Sequence, residues 1–152
     1  MGRIVGLDGC DVPPLLDSLD ELDAAWLTRA LRAGGFADAR VTSFEIQSIG
    51  AGNVSDTVKV RLDYVEGSAG PKSVVCKFRC SNEAAHAHGI GSGSYLREVE
   101  SYRALIGRES VCRIPYVYHV VGNAENINLV MEDLSETTRA GDQLAGCGSM
   151  EA

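Results

Sequence analysis

Four short segments carry groups that could do chemistry, and their order along the chain is the informative part. The first is Gly50-Ala51-Gly52-Asn53-Val54-Ser55-Asp56-Thr57. Glycines there let backbone N–H groups approach phosphate oxygens with no Cβ in the way. An ordinary hairpin turn uses glycines equally well, and no Gly-Lys-Ser/Thr follows, so this is not a Walker A loop. The second is Lys77, in Val74-Val75-Cys76-Lys77-Phe78. A lysine in an apolar strand leaves an ammonium in the interior unless it meets an anion. A period of two puts Val75 and Lys77 on one face and Cys76 and Phe78 on the other. Lys77 could then touch phosphates while Val75 packs on a base; the plain alternative is an edge-strand lysine facing solvent.

The third is Glu98, in a helical pattern. At about 100° per residue it lies about 70° from the centre of the apolar stripe, and Glu100 about 130° away. Glu98 is therefore expected to point back toward the sheet and pair with Lys77. A flank residue pairing at the surface with Arg97 or Arg103 is the alternative. The fourth is Leu129-Val130-Met131-Glu132-Asp133-Leu134, where an apolar strand runs into a polar stretch. A backbone exposed at such an exit can offer carbonyl and N–H groups to a purine edge; otherwise it is simply a strand end.

Other patterns carry less. Gly89-Ile90-Gly91-Ser92-Gly93 precedes a helix, but its spacing departs from the dinucleotide-binding Gly-x-Gly-x-x-Gly. His86-Ala87-His88 has no evident third ligand and is expected in a solvated loop. His119 falls in a strand pattern and reads as a packed or half-exposed residue. The five cysteines have irregular spacing and no Cys-x-x-Cys, which excludes a disulfide framework or zinc site as the organising feature. Cys76 and Cys80 read as small core residues.

The elements that must position these groups follow from periodicity. Residues 1–19, with Pro13-Pro14, are expected to be a loose leader. Asp20 to Ala33 reads as a helix with Leu22, Trp26, Leu27, Ala30 and Leu31 on one side, capped by Asp20 or Asp23 and closed by Gly34-Gly35. Strands follow at Val41–Ile49, Thr57–Val65 and Ser73–Cys80. In the second, Val58, Val60, Leu62 and Tyr64 alternate with Thr57, Lys59, Arg61 and Asp63, so Lys59 is placed on the polar face. Ser81–Gly93 reads as a Gly-rich loop and Ser94–Ile106 as a helix. Tyr116–Val121 and Ile127–Glu132 are the last strands, and 135–152 reads as hinge and linker. Short connections favour antiparallel pairing. The expected fold is α+β: a five-stranded antiparallel sheet, an N-terminal helix, and one helix inserted between strands three and four.

A net charge of −7, from 14 basic and 21 acidic residues, argues against a nucleic-acid surface, which needs clustered Lys and Arg. It leaves room for a nucleotide, because one lysine in a focused cleft suffices. No apolar run approaches the ~20 residues of a membrane span, and the N-terminus lacks a signal-peptide core, so a cytoplasmic location is expected.

Glycine loop, strand-three lysine, helix glutamate and strand-five exit, in that order, resemble the N-lobe of the protein-kinase-like fold. Leu96-Arg97-Glu98-Val99-Glu100-Ser101-Tyr102, Met131-Glu132-Asp133-Leu134 and Gly141-Asp142-Gln143-Leu144-Ala145-Gly146 narrow the resemblance to the aminoglycoside phosphotransferase superfamily and its ecdysteroid-kinase-like branches, over about 22–148. The resemblance implies that residues 20–134 are a nucleotide-binding lobe for ATP. Gly50, Gly52, Asn53 and Ser55 would cover the phosphates, and Lys77, partnered by Glu98, would hold the α/β-phosphates. Ile49, Val58 and Val75 would line the adenine slot, with Met131 at its back and the backbone of Glu132 and Leu134 on the adenine edge. Ser55 stands where protein kinases carry a third glycine. The family's catalytic His-Gly-Asp, its metal-binding Asn and the later Asp for magnesium have no counterpart; Ala140-Gly141-Asp142-Gln143 is the nearest match. The expectation is a lobe that ends before the catalytic loop and is inactive alone, with Mg ligands and the small-molecule acceptor site in an absent C-lobe. The other expectation kept open is a non-catalytic nucleotide-binding or interaction module derived from such a kinase.

Overall fold

The computed structural model describes residues 12–51, 54–106 and 113–138. Gly52, Asn53, Cys10, Cys112, Cys147 and the Gly141–Gly146 motif lie outside these residues.

Helix α1 spans Ala24–Ala33 after a single 3-10 turn at Leu19–Glu21. Asp23 is its N-cap: the carboxylate accepts from the Trp26 N–H at 2.6 Å, satisfying one of the unpaired donors of the first turn. Trp26, Leu27, Ala30 and Leu31 form the buried face. Gly35 ends the helix at φ 104, a conformation that favours glycine. The segment before α1 is not a loose leader where it is described. The Leu16 N–H donates to Asn128 Oδ1 at 2.6 Å, the Leu16 carbonyl accepts from Asn126 and Asn128, and the Trp26 indole N–H donates to the Pro14 carbonyl at 2.8 Å. Buried amides thus substitute for a strand partner.

The strands are β1 Val41–Ala51, β2 Ser55–Tyr64, β3 Ser73–Arg79, β4 Val117–Gly122 and β5 Ile127–Glu132. They form one sheet in the order β1-β2-β3-β5-β4, with every neighbouring pair antiparallel. The short turns predict this arrangement for the first three strands. The β3-to-β4 connection carries two helices, α2 Glu83–Gly91 and α3 Ser94–Leu105, where the spacing predicts one.

The difference lies at α2. Its two glycines and absent apolar stripe conceal it, but Ala84, Ala85 and Ala87 favour helix, and Asn82 Oδ1 caps it by accepting from the Ala85 N–H at 3.0 Å. Gly89 is required by packing: a Cβ there would come within 2.8 Å of the Tyr95 ring. His86 and His88 are therefore helical, and His86 is half-buried, its Nε2 2.8 Å from the Glu125 carbonyl.

Helices cover both sheet faces. Val58, Val60, Leu62, Val74, Cys76, Phe78 and Val130 share a core with α1. Burial pushes the Cys76 thiol up to about 12, in keeping with its place in the core. On the opposite face Ile127 and Leu129 pack with Tyr95 and Val99 of α3. Among the described residues, no helix is long and apolar enough to cross a membrane.

Candidate functional site

Strand parity decides which residues meet. Lys77 pairs with Thr57 on one side and Leu129 on the other, and Val75 with Lys59 and Met131. Lys77, Val75, Met131 and Lys59 therefore share the face that α3 covers. Tyr95 and Val99 anchor α3 in the core, which leaves Glu98 on its inward flank. The Lys77 ammonium donates to Glu98 Oε1 in direct contact, with both side chains about one-fifth exposed. The expected pair is present in the geometry. It is a part-exposed salt bridge between β3 and α3.

Val58 does not join this face. It pairs with Cys76, is 4% exposed, and packs on α1. The adenine-lining role expected for it requires the opposite parity, which Thr57 occupies. Lys59 stands on the polar face of β2, as expected, and that face is the one that carries Lys77. Along β2 that face is part-buried at Thr57 and Lys59 and exposed at Arg61 and Asp63.

Gly50 and Ala51 still pair within the sheet, with Thr57 and Asp56, after a bulge between Ser48 and Gly50. Ile49 sits at that bulge, 48% exposed. Ser55 opens β2 and is buried. The Tyr95 hydroxyl donates to the Val54 carbonyl and accepts from the Cys80 N–H at 3.4 Å, which ties the loop exit to the end of β3.

Met131 is half-buried beside Val75, with its sulfur 3.9 Å from the Tyr102 hydroxyl. Burial, and then the Glu98 charge, raise the Tyr102 pKa. Glu132 uses its N–H on the Tyr116 carbonyl at 2.7 Å and its carboxylate on Arg113 at 2.8 Å. The Leu134 carbonyl accepts from the Thr137 and Thr138 N–H groups at 3.0 and 2.9 Å. Among the described residues, the Leu134 N–H has no acceptor.

Three residues go unrecognised in the sequence: Asp133, Ser73 and Tyr95. Asp133 carried one signal, a Ser two positions later, since its Oδ1 accepts from the Ser135 N–H at 2.9 Å in an Asx turn. A shallow groove of about 280 Å3 opens beside it, lined by Pro71, Lys72, Ser73, Tyr118, Glu132, Asp133 and Glu136, away from Lys77.

The face thus presents the Lys77 ammonium beside an apolar strip at Val75 and Met131, with the Leu134 N–H beyond the end of β5. It does not fit magnesium. Among the described residues no group of three His, Cys, Asp or Glu could hold a metal ion, and Glu98 and Asp133 are each engaged by a lysine. No protein-family model, curated protein or solved structure matches the chain.

Proposed function

We propose that this chain is the ATP-binding N-lobe of a hydroxyl-directed small-molecule phosphotransferase of the aminoglycoside phosphotransferase type. The observation that carries it is the Lys77–Glu98 pair, formed between the inner face of β3 and the inward flank of α3. A strand lysine needs a reason to sit on a covered face. A carboxylate on the neighbouring helix holds it in one rotamer, so a triphosphate meets an ammonium already placed. Val75 and Met131, adjacent across β3 and β5, supply an apolar surface for adenine beside that charge. Glu132 and Leu134 follow at the strand exit, where backbone groups can meet the adenine edge.

The residues assigned here bind; none is assigned as the base of a transfer step. Calorimetric titration with ATP tests the reading. The wild-type chain should bind ATP weakly, and Lys77→Ala should abolish the heat. ATP binding that survives Lys77→Ala unchanged would place the phosphates elsewhere and end this assignment.

A further inference from the structure

The site face holds a second lysine–carboxylate pair, one strand position pair away from the first. The Lys59 ammonium is 2.7 Å from Asp133 Oδ2 and donates to Ser135 Oγ at 2.8 Å. Asp133 also accepts from Ser73 Oγ at 2.6 Å and from the Ser135 N–H at 2.9 Å. Its side chain is 5% exposed and that of Lys59 19%. Burial raises a carboxyl pKa, but the hydrogen bonds from Lys59, Ser73 and Ser135 outweigh it and hold Asp133 well below the usual carboxylate range.

The consequence is mechanical. The chain leaves β5 at Glu132 and is fastened one residue later to both β2 and β3. The Asp133 carboxylate is nearly buried and is held by Lys59, Ser73 and Ser135 together, so removing Lys59 leaves its charge short of a partner. Leu134 comes next. Its carbonyl is committed to the turn at Thr137 and Thr138, while its N–H has no acceptor among the described residues.

We infer that Lys59 is a positioning residue for the base: through Asp133 it sets where the Leu134 N–H stands for a purine ring edge. This rests on the nucleotide reading above and divides the face in two. Lys77 and Glu98 serve the triphosphate, Lys59 and Asp133 serve the base, and Val75 lies beside Lys59 in the register. Lys59 touches no ligand in this account; it acts through Asp133.

Two partial ligands separate the halves: adenosine, and inorganic triphosphate. Lys59→Met should weaken adenosine binding on the order of tenfold, the loss expected when one positioned hydrogen bond is misplaced, and leave triphosphate binding unchanged. Lys77→Ala should do the reverse. Asp133→Asn keeps the side-chain shape and removes the charge pair, so it carries the test if Lys59→Met does not fold. Lys59→Arg should restore part of the adenosine affinity. Amide hydrogen exchange at Leu134 and Ser135 should quicken in Lys59→Met and Asp133→Asn, with or without ligand. Adenosine affinity and hinge exchange equal to wild type would overturn the role. Equal weakening toward both probes would overturn the division and leave Lys59 a general element of the fold. A wild-type chain that binds neither probe would overturn the nucleotide reading and this role together, and the outcomes are thereby distinguished.

Discussion

The hydroxyl of Tyr95, at the start of α3, donates to the carbonyl of Val54, where the glycine loop enters β2. Tyr95 is 1% exposed, and Glu98 follows it by less than one helical turn. The loop that would cover phosphates and the carboxylate that holds Lys77 are therefore set by the same buried side chain. The Cys80 N–H, at 3.4 Å, binds the end of β3 to that hydroxyl as well.

Tyr95→Phe keeps the ring and removes both bonds. It should cost about 1–3 kcal/mol, because the Val54 carbonyl and the Cys80 N–H lose their partner. Urea unfolding measures the cost. Hydrogen exchange should quicken at residues 54–57 and at Cys80, and not in β4, if the hydroxyl acts as the tie.

The Lys77–Glu98 pair gives a second expectation. Glu98→Gln should reduce ATP affinity by less than Lys77→Ala, since it frees the lysine rotamer without removing the cation. Titration of the two variants ranks them. Equal losses would show that the carboxylate contributes as much as the ammonium and that rotamer placement dominates.

Val58 and Val75 make a paired test of strand parity. Val58→Ala removes buried methyl groups from the α1 core and should cost about 2 kcal/mol of stability with ATP affinity unchanged. Val75→Ala should cost less stability and lower ATP affinity several-fold. The opposite pattern, in unfolding and calorimetric curves, would put the base on the α1 face.

His119 supplies a pH dependence. It is 8% exposed, its ring lies edge-on to Trp26 at 5.5 Å, and its Nε2 has no hydrogen-bond partner among the described residues. Burial, and then the Arg103 charge, lower its pKa from 6.5 to about 4. A base with a depressed folded pKa binds its proton more readily when unfolded. Its contribution is thus fully present above about 6.5 and is lost as pH falls toward 4, about 3 kcal/mol across the window. His119→Phe should flatten the stability profile between pH 6.5 and 5, where few carboxylates titrate. A wild-type profile already flat there would show the histidine neutral in both states or solvated in the fold.

Much of the scaffold is written in local periodicity. The alternation from Val58 to Leu62 and the apolar run of β5 mark strands, because a side chain's direction in a strand depends only on parity. Parity also separates Val75 and Lys77 from Cys76 and Phe78, and the helical angle of Glu98 turns it inward, so both halves of the ion pair are legible before any fold is known. Helix α2 escapes because its formation rests on a cap, three alanines and a glycine fitted to the Tyr95 ring rather than on an amphipathic stripe. The anchoring of Leu16 by Asn128 joins residues far apart in the chain, and no local pattern encodes it. Alternation puts Val58 and Lys59 on the right faces, but the packing of Val58 on α1 and the Asp133 partner of Lys59 go unforeseen for one cause. Alternation tells which residues lie together, but not which set meets a helix, which meets solvent and which meets a ligand. That choice is made only when α1 takes one face of the sheet and α3 the other. It then brings Asp133 onto Lys59 across strands that are neighbours in space and distant in sequence.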